Sequence, residues 1–232
     1  MRGRIELAGL GRDYRDGKHS LTVLDDVNFV IEAGQFVAIT GPSGSGKSTL
    51  LGLMAGLDRP SRGKVIIDGT DLGALREDAL STFRGRHIGF VFQSFQLIPT
   101  LTALENVQVP AEILGDAAAL GRAEQMLERV GLSDRAAHYP SQLSGGEMQR
   151  VALARATVTE PAIIMADEPT GNLDSAAGDR VLELLLEANT HCTLVLVTHN
   201  ADLAARAGRQ VCMRHGRIER VIERPSQLRA LA

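Results

Sequence analysis

A glycine-rich stretch before residue 50 has the residue types and spacing of a loop that could hold phosphate groups. It reads GPSGSGKST and fits G-x-x-x-x-G-K-[ST], between a run that predicts a strand, 35–40, and a run that predicts a helix, 48–57. Glycines let backbone amides surround phosphates, and the start of a helix adds a partial positive charge. We therefore predict an ATP site formed by Gly41, Pro42, Ser43, Gly44, Ser45, Gly46, Lys47, Ser48 and Thr49.

Four side chains in and beyond this loop suit the chemistry of triphosphate hydrolysis. The Lys47 ammonium is expected to reach the β- and γ-phosphates, and the Ser48 hydroxyl is expected to bind Mg²⁺. Two acids end the apolar run AIIMADE, 162–168, which predicts a buried strand. Asp167 is placed to hold Mg²⁺ through water, and Glu168 to polarise an attacking water. Adjacent acids can also merely cap a turn, but the phosphate loop favours the catalytic interpretation.

Two more polar residues end predicted strands. His199 closes TLVLVTH, where an imidazole can orient a γ-phosphate or hold the attacking water. Gln93 closes IGFVFQ, where its amide oxygen can bind Mg²⁺ or the waters around it. Taken alone, the histidine could be a surface residue and the glutamine incidental. The phosphate loop and the two acids favour a shared site.

The stretch LSGGEMQR predicts a second helix start suited to anions. Ser144 and Glu147 have the spacing of a capping box ahead of the helical run EMQRVALARATV. Gly145 and Gly146 each cost roughly 1 kcal/mol relative to alanine inside a helix, which indicates that something approaches this backbone closely. Because the chain already has one phosphate loop, we predict that this site faces the nucleotide of a second copy across a twofold axis. A plain capping box would leave both glycines unexplained.

Hydropathy patterns place these motifs in an α/β chain. Apolar and polar residues alternate over 4–10 and 21–31, around the turn-like segment RDGKHS, and KVIIDG predicts another strand. A helix is predicted over 175–188, and a hairpin about His215 and Gly216. Strands that alternate with helices indicate a largely parallel sheet covered on both faces.

A helical block interrupts this pattern from about 101 to 158. One predicted helix in it ends at Gly131. Its apolar residues recur at helical spacing, at Leu120, Ala123, Met126, Leu127 and Val130.

Composition narrows the class of protein. The 232 residues are 44% hydrophobic and carry a formal net charge of −3, so nothing draws the chain as a whole to nucleic acid. The basic cluster RGRH, 84–87, is expected to be a solvated surface loop. Cys192 and Cys212 are far apart, which disfavours a zinc site, and no secretory signal is recognisable, so we expect a reducing compartment. No run reaches the roughly 18 apolar residues of a membrane span.

The motifs GPSGSGKST, LSGGEMQR and AIIMADE, with Gln93, NLD at 172–174 and His199, resemble those of the ATPase of ATP-binding cassette (ABC) transporters over almost the whole chain. The resemblance implies an α/β fold of the P-loop NTPase, ABC ATPase type, with a RecA-like mixed-sheet core, an N-terminal antiparallel β subdomain and an inserted helical subdomain. It implies one domain, 1–232, whose α/β core and β subdomain occupy 1–93 and 159–232 and whose helical signature subdomain occupies 94–158.

The resemblance also implies ATP and Mg²⁺ as ligands and a head-to-tail homodimer that closes on ATP. Glu168 would be the general base and His199 the γ-phosphate switch, in a catalytic set completed by Gln93 and Lys47. Tyr14, 33 positions before Lys47, resembles the aromatic residue that stacks on adenine, although it could be an ordinary exposed strand residue. The residues that would contact the partner's ATP are Ser144, Gly145, Gly146, Glu147 and Asp174, the last of which would communicate between the two sites.

Within the family, YRDGKHSLTVL, FVFQSFQLIPTLTALENV and ADEPTGNLD resemble the subgroup that includes the lipoprotein-release and macrolide-efflux ATPases. Within that subgroup, these segments particularly resemble an uncharacterised member that is paired with a large multi-pass permease. Met148 departs from the usual glutamine or arginine, and Asn200 from the common aspartate. Neither change removes a group that contacts phosphate in the family.

The resemblance implies an integral membrane permease on a separate chain, and hence a peripheral location on the cytoplasmic face of the inner membrane. Phe95, Leu97, Ile98 and Leu101 are candidates for an exposed cleft that accepts a short helix of that permease, with Gln93 linking it to the nucleotide. Ordinary packing under the helical block is the alternative. The resemblance implies that the complex transmits force across the membrane, exports a substrate, or extracts a lipoprotein or lipid. An ATP-gated clamp that controls cell-wall enzymes and, less favoured, a nucleic-acid-associated ATPase remain as other functions.

Overall fold

A computed structural model of the protein describes residues 2–17 and 19–224 and contains two β-sheets and seven α-helices within those ranges. In chain order the strands are β1 (Ile5–Asp16), β2 (His19–Ile31), β3 (Phe36–Thr40), β4 (Arg62–Ile67), β5 (Thr70–Asp71), β6 (Ile88–Val91), β7 (Ile163–Asp167), β8 (Thr193–Val197), β9 (Arg209–Arg214) and β10 (Arg217–Glu223). The helices are α1 (Lys47–Met54), α2 (Glu77–His87), α3 (Ala103–Ile113), α4 (Ala119–Arg129), α5 (Gly145–Thr157), α6 (Ser175–Asn189) and α7 (Ala201–Ala205).

The larger sheet brings the predicted catalytic segments to one edge. Its strand order is β10-β9-β3-β8-β7-β6, and the five strands from β9 to β6 are parallel. Apolar residues fill β3, β7 and β8, as expected for parallel strands covered on both faces. The carboxyl ends of neighbouring parallel strands therefore meet where the phosphate loop, the two acids, the histidine and Gln93 follow. The predicted parallel sheet is confirmed.

The smaller sheet is antiparallel, with the order β2-β1-β4-β5. β1 extends to Asp16 and β2 begins at His19, so the strand prediction that ended at residue 10 is too short. The reason is that 12–16, a mostly polar stretch without a hydropathy signal, pairs with 19–24 and continues the hairpin. Irregular register between Leu7 and Asp13 bends the hairpin.

The helical block lies on one face of the larger sheet and shares its core. α3, α4 and α5 pack with α6 and with side chains of β6, β7 and β8 in one hydrophobic cluster. The predicted stripe on α4 is buried at Ala123, Met126, Leu127 and Val130, and Gly131 ends it with a φ of 69°. Leu120 is exposed instead, and Ala119 takes the buried position at the helix start. A second cluster joins the smaller sheet, α1 and the opposite face of the larger sheet.

Two helices have weak sequence signals and were not predicted. RGRH is the last turn of α2 and not a surface loop. Of the eleven residues of α2 only Leu80 is buried, so no apolar stripe marks the helix. Its end is held by the Arg84 guanidinium, which donates to the Gly56 carbonyl at 2.9 Å, and by His87 stacked on Phe83. α7 is a single turn of five residues.

Candidate active site

The phosphate loop runs from the buried strand β3 to α1. Gly41, Gly44 and Gly46 have φ angles of 148°, 74° and 95°, which residues with side chains rarely adopt. A Cβ at Gly41 would lie 2.2 Å from the carbonyl oxygen of Met213, and one at Gly46 would lie 2.8 Å from a methyl of Leu24. β9 therefore leaves room for glycine alone at position 41, and β2 approaches position 46 closely.

The two functional side chains at the start of α1 lie against the loop and the neighbouring strand β7. The Lys47 ammonium donates to the carbonyls of Gly41 and Pro42, at 3.0 Å each. The Ser48 hydroxyl donates to Asp167 Oδ1 at 3.2 Å. Burial raises the pKa of Asp167, although the Ser48 hydrogen bond acts in the opposite direction.

Ser48 and Asp167 suit a Mg²⁺ ion. This ion prefers oxygen ligands and usually takes one or two of them from the protein, with the rest from phosphates and waters. A hydroxyl and a carboxylate 3.2 Å apart, next to a phosphate loop, provide such a pair. A dication there would favour the ionised form of Asp167, against the burial that raises its pKa. The side chains present therefore fit the ion.

Glu168 and His199 form a close pair at the ends of β7 and β8. Glu168 has a φ of 47°, and its N–H donates to the Val197 carbonyl at 2.9 Å. Its carboxylate Oε2 lies 2.7 Å from His199 Nδ1 and accepts the His199 backbone N–H at 3.4 Å. The imidazole is 72% exposed while the carboxylate is largely buried. The pair thus presents one accessible imidazole and one sheltered carboxylate to the same space.

An open cleft of about 540 Å³ collects these groups, a volume in the range of ligand sites. Leu21 and Val23 also line it, and sequence reasoning missed both. The signal in the sequence is their spacing by two on a predicted strand, which puts both apolar side chains on one face. In the structure Leu21 is 66% exposed. The lining residues are Leu21, Val23, Gly41, Ser43, Gly44, Gly46, Lys47, Ser48, Thr49, Gln93, Glu168 and His199.

Tyr14 is not among the described residues that line the cleft, although it pairs with Leu21, which does. The Tyr14 hydroxyl donates to Asp58 Oδ2 at 3.2 Å, and the Arg12 guanidinium lies 4.5 Å from the centroid of its ring. One ring face is therefore covered by a cation. Stacking of adenine on Tyr14 stays a prediction.

The start of α5 has the predicted capping box and lies outside the residues lining the cleft. Ser144 Oγ accepts the Glu147 N–H at 3.3 Å, and Glu147 Oε2 accepts the Ser144 N–H at 2.8 Å. These Ser144 hydrogen bonds, backbone first, and the nearby Arg135 guanidinium lower the pKa of Glu147 to about 2. The Asp174 side chain caps α6 by accepting the Ala177 N–H at 2.9 Å.

Packing within the chain explains one of the two glycines at the start of α5 but not the other. A Cβ at Gly146 would lie 2.8 Å from the Cβ of Ala177 on α6. The close approach predicted at these glycines therefore comes, at Gly146, from α6 of the same chain, and contact of Gly146 with a partner's nucleotide stays a prediction. A Cβ at Gly145 would make only ordinary contacts, the nearest at 3.7 Å to Leu173. Gly145 has no such packing reason.

The candidate permease segment is only partly exposed. Ile98 is 41% exposed, whereas Leu97 packs against the larger core cluster and Phe95 and Leu101 are half-buried. The four candidates therefore differ in exposure because the segment lies on the helical block, and a permease cleft formed by them stays a prediction. Buried Asn106, which sequence reasoning missed, accepts the Ile98 N–H at 2.7 Å and donates to the carbonyls of Ile98, Leu101 and Thr102.

The two residues that depart from the family pattern have ordinary structural roles. Met148 is half-buried and packs against the larger core cluster. Asn200 caps α7, where its side-chain oxygen accepts the N–H groups of Asp202 and Leu203 at 2.9 and 3.1 Å. Asparagine caps a helix as well as aspartate does.

Known proteins with similar sequences and folds are ATP-binding cassette proteins. The profile of the ABC transporter family matches residues 24–171. An uncharacterized ABC transporter ATP-binding protein, YbbA of Escherichia coli K12, is 47% identical over 219 residues, which cover 93% of this chain and 96% of YbbA. The lipoprotein-releasing system ATP-binding protein LolD of Chromohalobacter salexigens is 47% identical over 218 residues, 92% of each chain. A dimeric post-hydrolysis structure of the ATP-binding cassette MJ0796 with ADP and Pi has a TM-score of 0.90 at 41% identity, covering 96% of this chain and 99% of that one.

Fold and site together define a P-loop ATPase of the cassette type, which uses ATP and Mg²⁺. Within that class, the chain belongs to the ABC transporter family. The predicted ABC ATPase fold, the enzyme class and the likeness to lipoprotein-release ATPases are confirmed. Across residues 2–17 and 19–224, none of the helices has the length and apolar content to cross a bilayer.

Proposed function

We propose that two copies of this cassette close head to tail around two ATP molecules, and that hydrolysis reopens them to drive a permease on a separate chain. One observation supports this most. Among the described residues, α1 and α5 both begin next to glycines and are suited to phosphate, but α1 begins at its own cleft, whereas α5 begins outside the residues that line it. A twofold axis would bring the α5 start of one copy onto the triphosphate of the other.

Within each cleft, hydrolysis proceeds by in-line attack of water on the γ-phosphorus. Glu168 accepts a proton from the water, whose oxygen bonds to phosphorus while the bond to the β–γ bridging oxygen breaks and ADP leaves. His199, 2.7 Å from that carboxylate, orients it and contacts the γ-phosphate. Lys47 neutralises charge on the β- and γ-phosphates.

Ser48, Asp167 and Gln93 are the oxygen donors proposed for Mg²⁺. When bound, the ion supplies positive charge that offsets the charge developing on phosphate oxygens. Tyr14 is proposed to stack on adenine with the ring face opposite Arg12.

Ser144 and Gly145 of each copy are proposed to contact the partner's γ-phosphate, with Gly146, Glu147 and Asp174 beside them. Loss of the γ-phosphate removes an anion from the start of α5 and weakens the contact between copies. Closure and reopening then follow the presence of ATP. The helix dipole and the backbone N–H groups of the first turn of α5 supply the attraction.

The experiment for this closure is Ser144→Arg, with Thr102→Arg as a matched control. Both residues cap a helix through the same box, Ser144 with Glu147 and Thr102 with Glu105, so both variants lose a similar cap of about 1 kcal/mol. We expect Ser144→Arg to bind ATP as a monomer and to lose hydrolysis, while Thr102→Arg keeps most of its hydrolysis. Equal losses in both variants would attribute the effect to helix stability and contradict the closure.

The segment from Phe95 to Leu101 is proposed as the permease contact, through Ile98. Asn106 fixes the backbone of Ile98 by hydrogen bonds, so an apolar side chain is presented on a rigid loop. Ile98→Asp should release the chain from membranes in a fractionation assay while ATP binding persists. Ile113→Asp, at a residue 77% exposed at the end of α3, is the control. Retention of Ile98→Asp on membranes would exclude this contact.

The proposed site of action is the cytoplasmic face of the inner membrane, where the chain associates with its permease. The lipoprotein-releasing name of the LolD relative supports extraction of a lipoprotein or lipid, or transmission of force through the permease. Purification of the chain from membranes, followed by identification of the integral membrane protein bound to it, tests this proposal. Recovery without any such protein would count against it.

A further inference from the structure

One arginine of α5 fastens the segment Phe92–Gln96 that follows β6. Arg155 Nη2 donates to the Phe95 carbonyl at 2.8 Å, and Nη1 donates to the Gln96 carbonyl at 2.6 Å. The planar fork of a guanidinium suits two neighbouring acceptors. No ion pair found within residues 2–17 and 19–224 includes Arg155. Its hydrogen bonds are thus to backbone carbonyls, and this pair of bonds from Arg155 to Phe95 and Gln96 is called the clamp below.

The two residues that Arg155 holds have an unfavourable backbone conformation. Phe95 and Gln96 have φ angles of 62° and 51°, and neither is glycine. Consecutive residues with side chains persist in this region only where surrounding contacts hold them. Arg155 is half-buried, and burial lowers the pKa of its guanidinium, so the two carbonyls compensate a charge that is partly removed from water.

Two more side chains hold the carbonyls just before the clamp. Gln149, fully buried on α5, donates from Nε2 to the Phe92 carbonyl at 3.4 Å. Asn172, in the loop before α6, donates to the Gln93 carbonyl at 3.0 Å. α5 therefore holds this segment at its first and last residues, with Asn172 between.

We propose that Arg155 is a positioning residue for hydrolysis, which sets Gln93 at the cleft by holding Phe95 and Gln96 in the left-handed conformation. The inference rests on the role proposed above for Gln93. Gln93 lines the cleft two residues before the clamped Phe95, so displacement of the segment moves its amide. Because α5 begins beside Ser144, the clamp also joins this segment to the helix that faces the partner copy.

A double-mutant cycle of Arg155→Gln and Gln93→Ala tests the proposal by steady-state Mg-ATP hydrolysis of the full chain. We expect Arg155→Gln to lower kcat by roughly 10- to 100-fold, as misplacement of a catalytic group does. Its Kd for a fluorescent ATP analogue should change by less than about twofold. The double variant should hydrolyse ATP as slowly as Gln93→Ala alone. Arg180→Gln, at an exposed arginine of α6, is the charge-matched control and should keep the wild-type kcat.

A rescue distinguishes the clamp from a general contribution to stability. Gln96→Gly added to Arg155→Gln should recover kcat several-fold, because glycine adopts a positive φ freely. General instability would not respond to that change. Arg155→Lys serves where Arg155→Gln does not fold, and an intermediate kcat is expected because an ammonium lacks the planar fork.

Three results would overturn the clamp. They are a wild-type kcat in the Arg155 variants, a double-variant loss equal to the product of the two single losses, and no rescue by Gln96→Gly. A wild-type kcat in Gln93→Ala would remove the role of Gln93 on which the clamp rests. Loss in Gln93→Ala without loss in Arg155→Gln would leave the proposed function intact and reject the clamp alone.

Discussion

The backbone of Glu168 is strained at the point where the chain leaves β7. Its φ of 47° costs a residue with a side chain on the order of 1–3 kcal/mol. Contacts to β8 hold this conformation, since the N–H bonds the Val197 carbonyl and the carboxylate meets His199. Strain and contact together fix the carboxylate at the cleft, as expected of a base that must meet a water in one geometry.

Glu147 gives the helix start of α5 a dependence on pH. Its pKa is lowered to about 2 in the folded chain, from an ordinary value of 4.5, by the Ser144 hydrogen bonds and Arg135. A lowered carboxyl pKa contributes stability that is complete above pH 4.5 and is lost as pH falls toward 2. Wild type should exceed Glu147→Gln by about 1 kcal/mol in free energy of unfolding at neutral pH, and the difference should vanish near pH 2.

Urea unfolding at a series of pH values measures this difference. Glu124→Gln, at an exposed residue of α4, is the control and should change the free energy of unfolding by less than about 0.5 kcal/mol at every pH. A difference for Glu147→Gln that does not change with pH would show that its charge is not what stabilises the helix start.

The sequence alone was enough to predict most residues of the cleft, because phosphate chemistry restricts residue types and parallel strands align their ends. It could not show that Arg155 meets Phe95, since the two are 60 positions apart and the contact is to backbone carbonyls. Carbonyls carry no residue identity, so no pattern marks such an arginine. Leu21 was missed for a related reason, because it lines the cleft only where the β1–β2 hairpin lies against the phosphate loop.

At the scale of elements, the starts of α5 and α6 touch through the smallest side chains. Gly146 faces Ala177, so Gly146→Ala should place two Cβ atoms 2.8 Å apart and destabilise the fold, by about 1–3 kcal/mol as overpacking does. Gly145→Ala makes contacts of 3.7 Å or more within its own chain and should gain up to about 1 kcal/mol from helix propensity. It should nevertheless hydrolyse ATP poorly, because its methyl group stands at the proposed contact with the partner's phosphate.

Urea unfolding and hydrolysis rates separate the two variants. The expected pattern is lower stability in Gly146→Ala and retained stability with impaired hydrolysis in Gly145→Ala. Equal destabilisation in both, or normal hydrolysis by a stable Gly145→Ala, would contradict the different roles of the two glycines.

Elements with an apolar stripe or a buried run were predictable, and elements without one were not. β3, β7, β8 and the helices of the helical block bury enough apolar surface to mark the sequence. α2 buries Leu80 alone and is held by polar contacts and a stacked pair, which hydropathy does not register. Residues 12–16 of β1, in the distal half of the β1–β2 hairpin, are likewise mostly polar.

At the scale of the whole molecule, the helical block has no separate core. The larger cluster joins α3, α4 and α5 to one face of the parallel sheet and to α6. The division into a core and a helical subdomain at residues 94 and 158 stays a prediction. Any rotation of the block would have to carry the segment after β6 with it, since Gln149 and Arg155 of α5 hold that segment.

The central claim is that the loop of one copy and the α5 start of the other grip the same triphosphate. Sedimentation of Glu168→Gln with saturating Mg-ATP tests it most directly. Without its base the variant should hydrolyse ATP 10²- to 10⁴-fold more slowly and should sediment as a dimer that holds two ATP molecules. Addition of Ser144→Arg should return it to a monomer with ATP still bound. A Glu168→Gln chain that is saturated with ATP and remains monomeric would contradict the account.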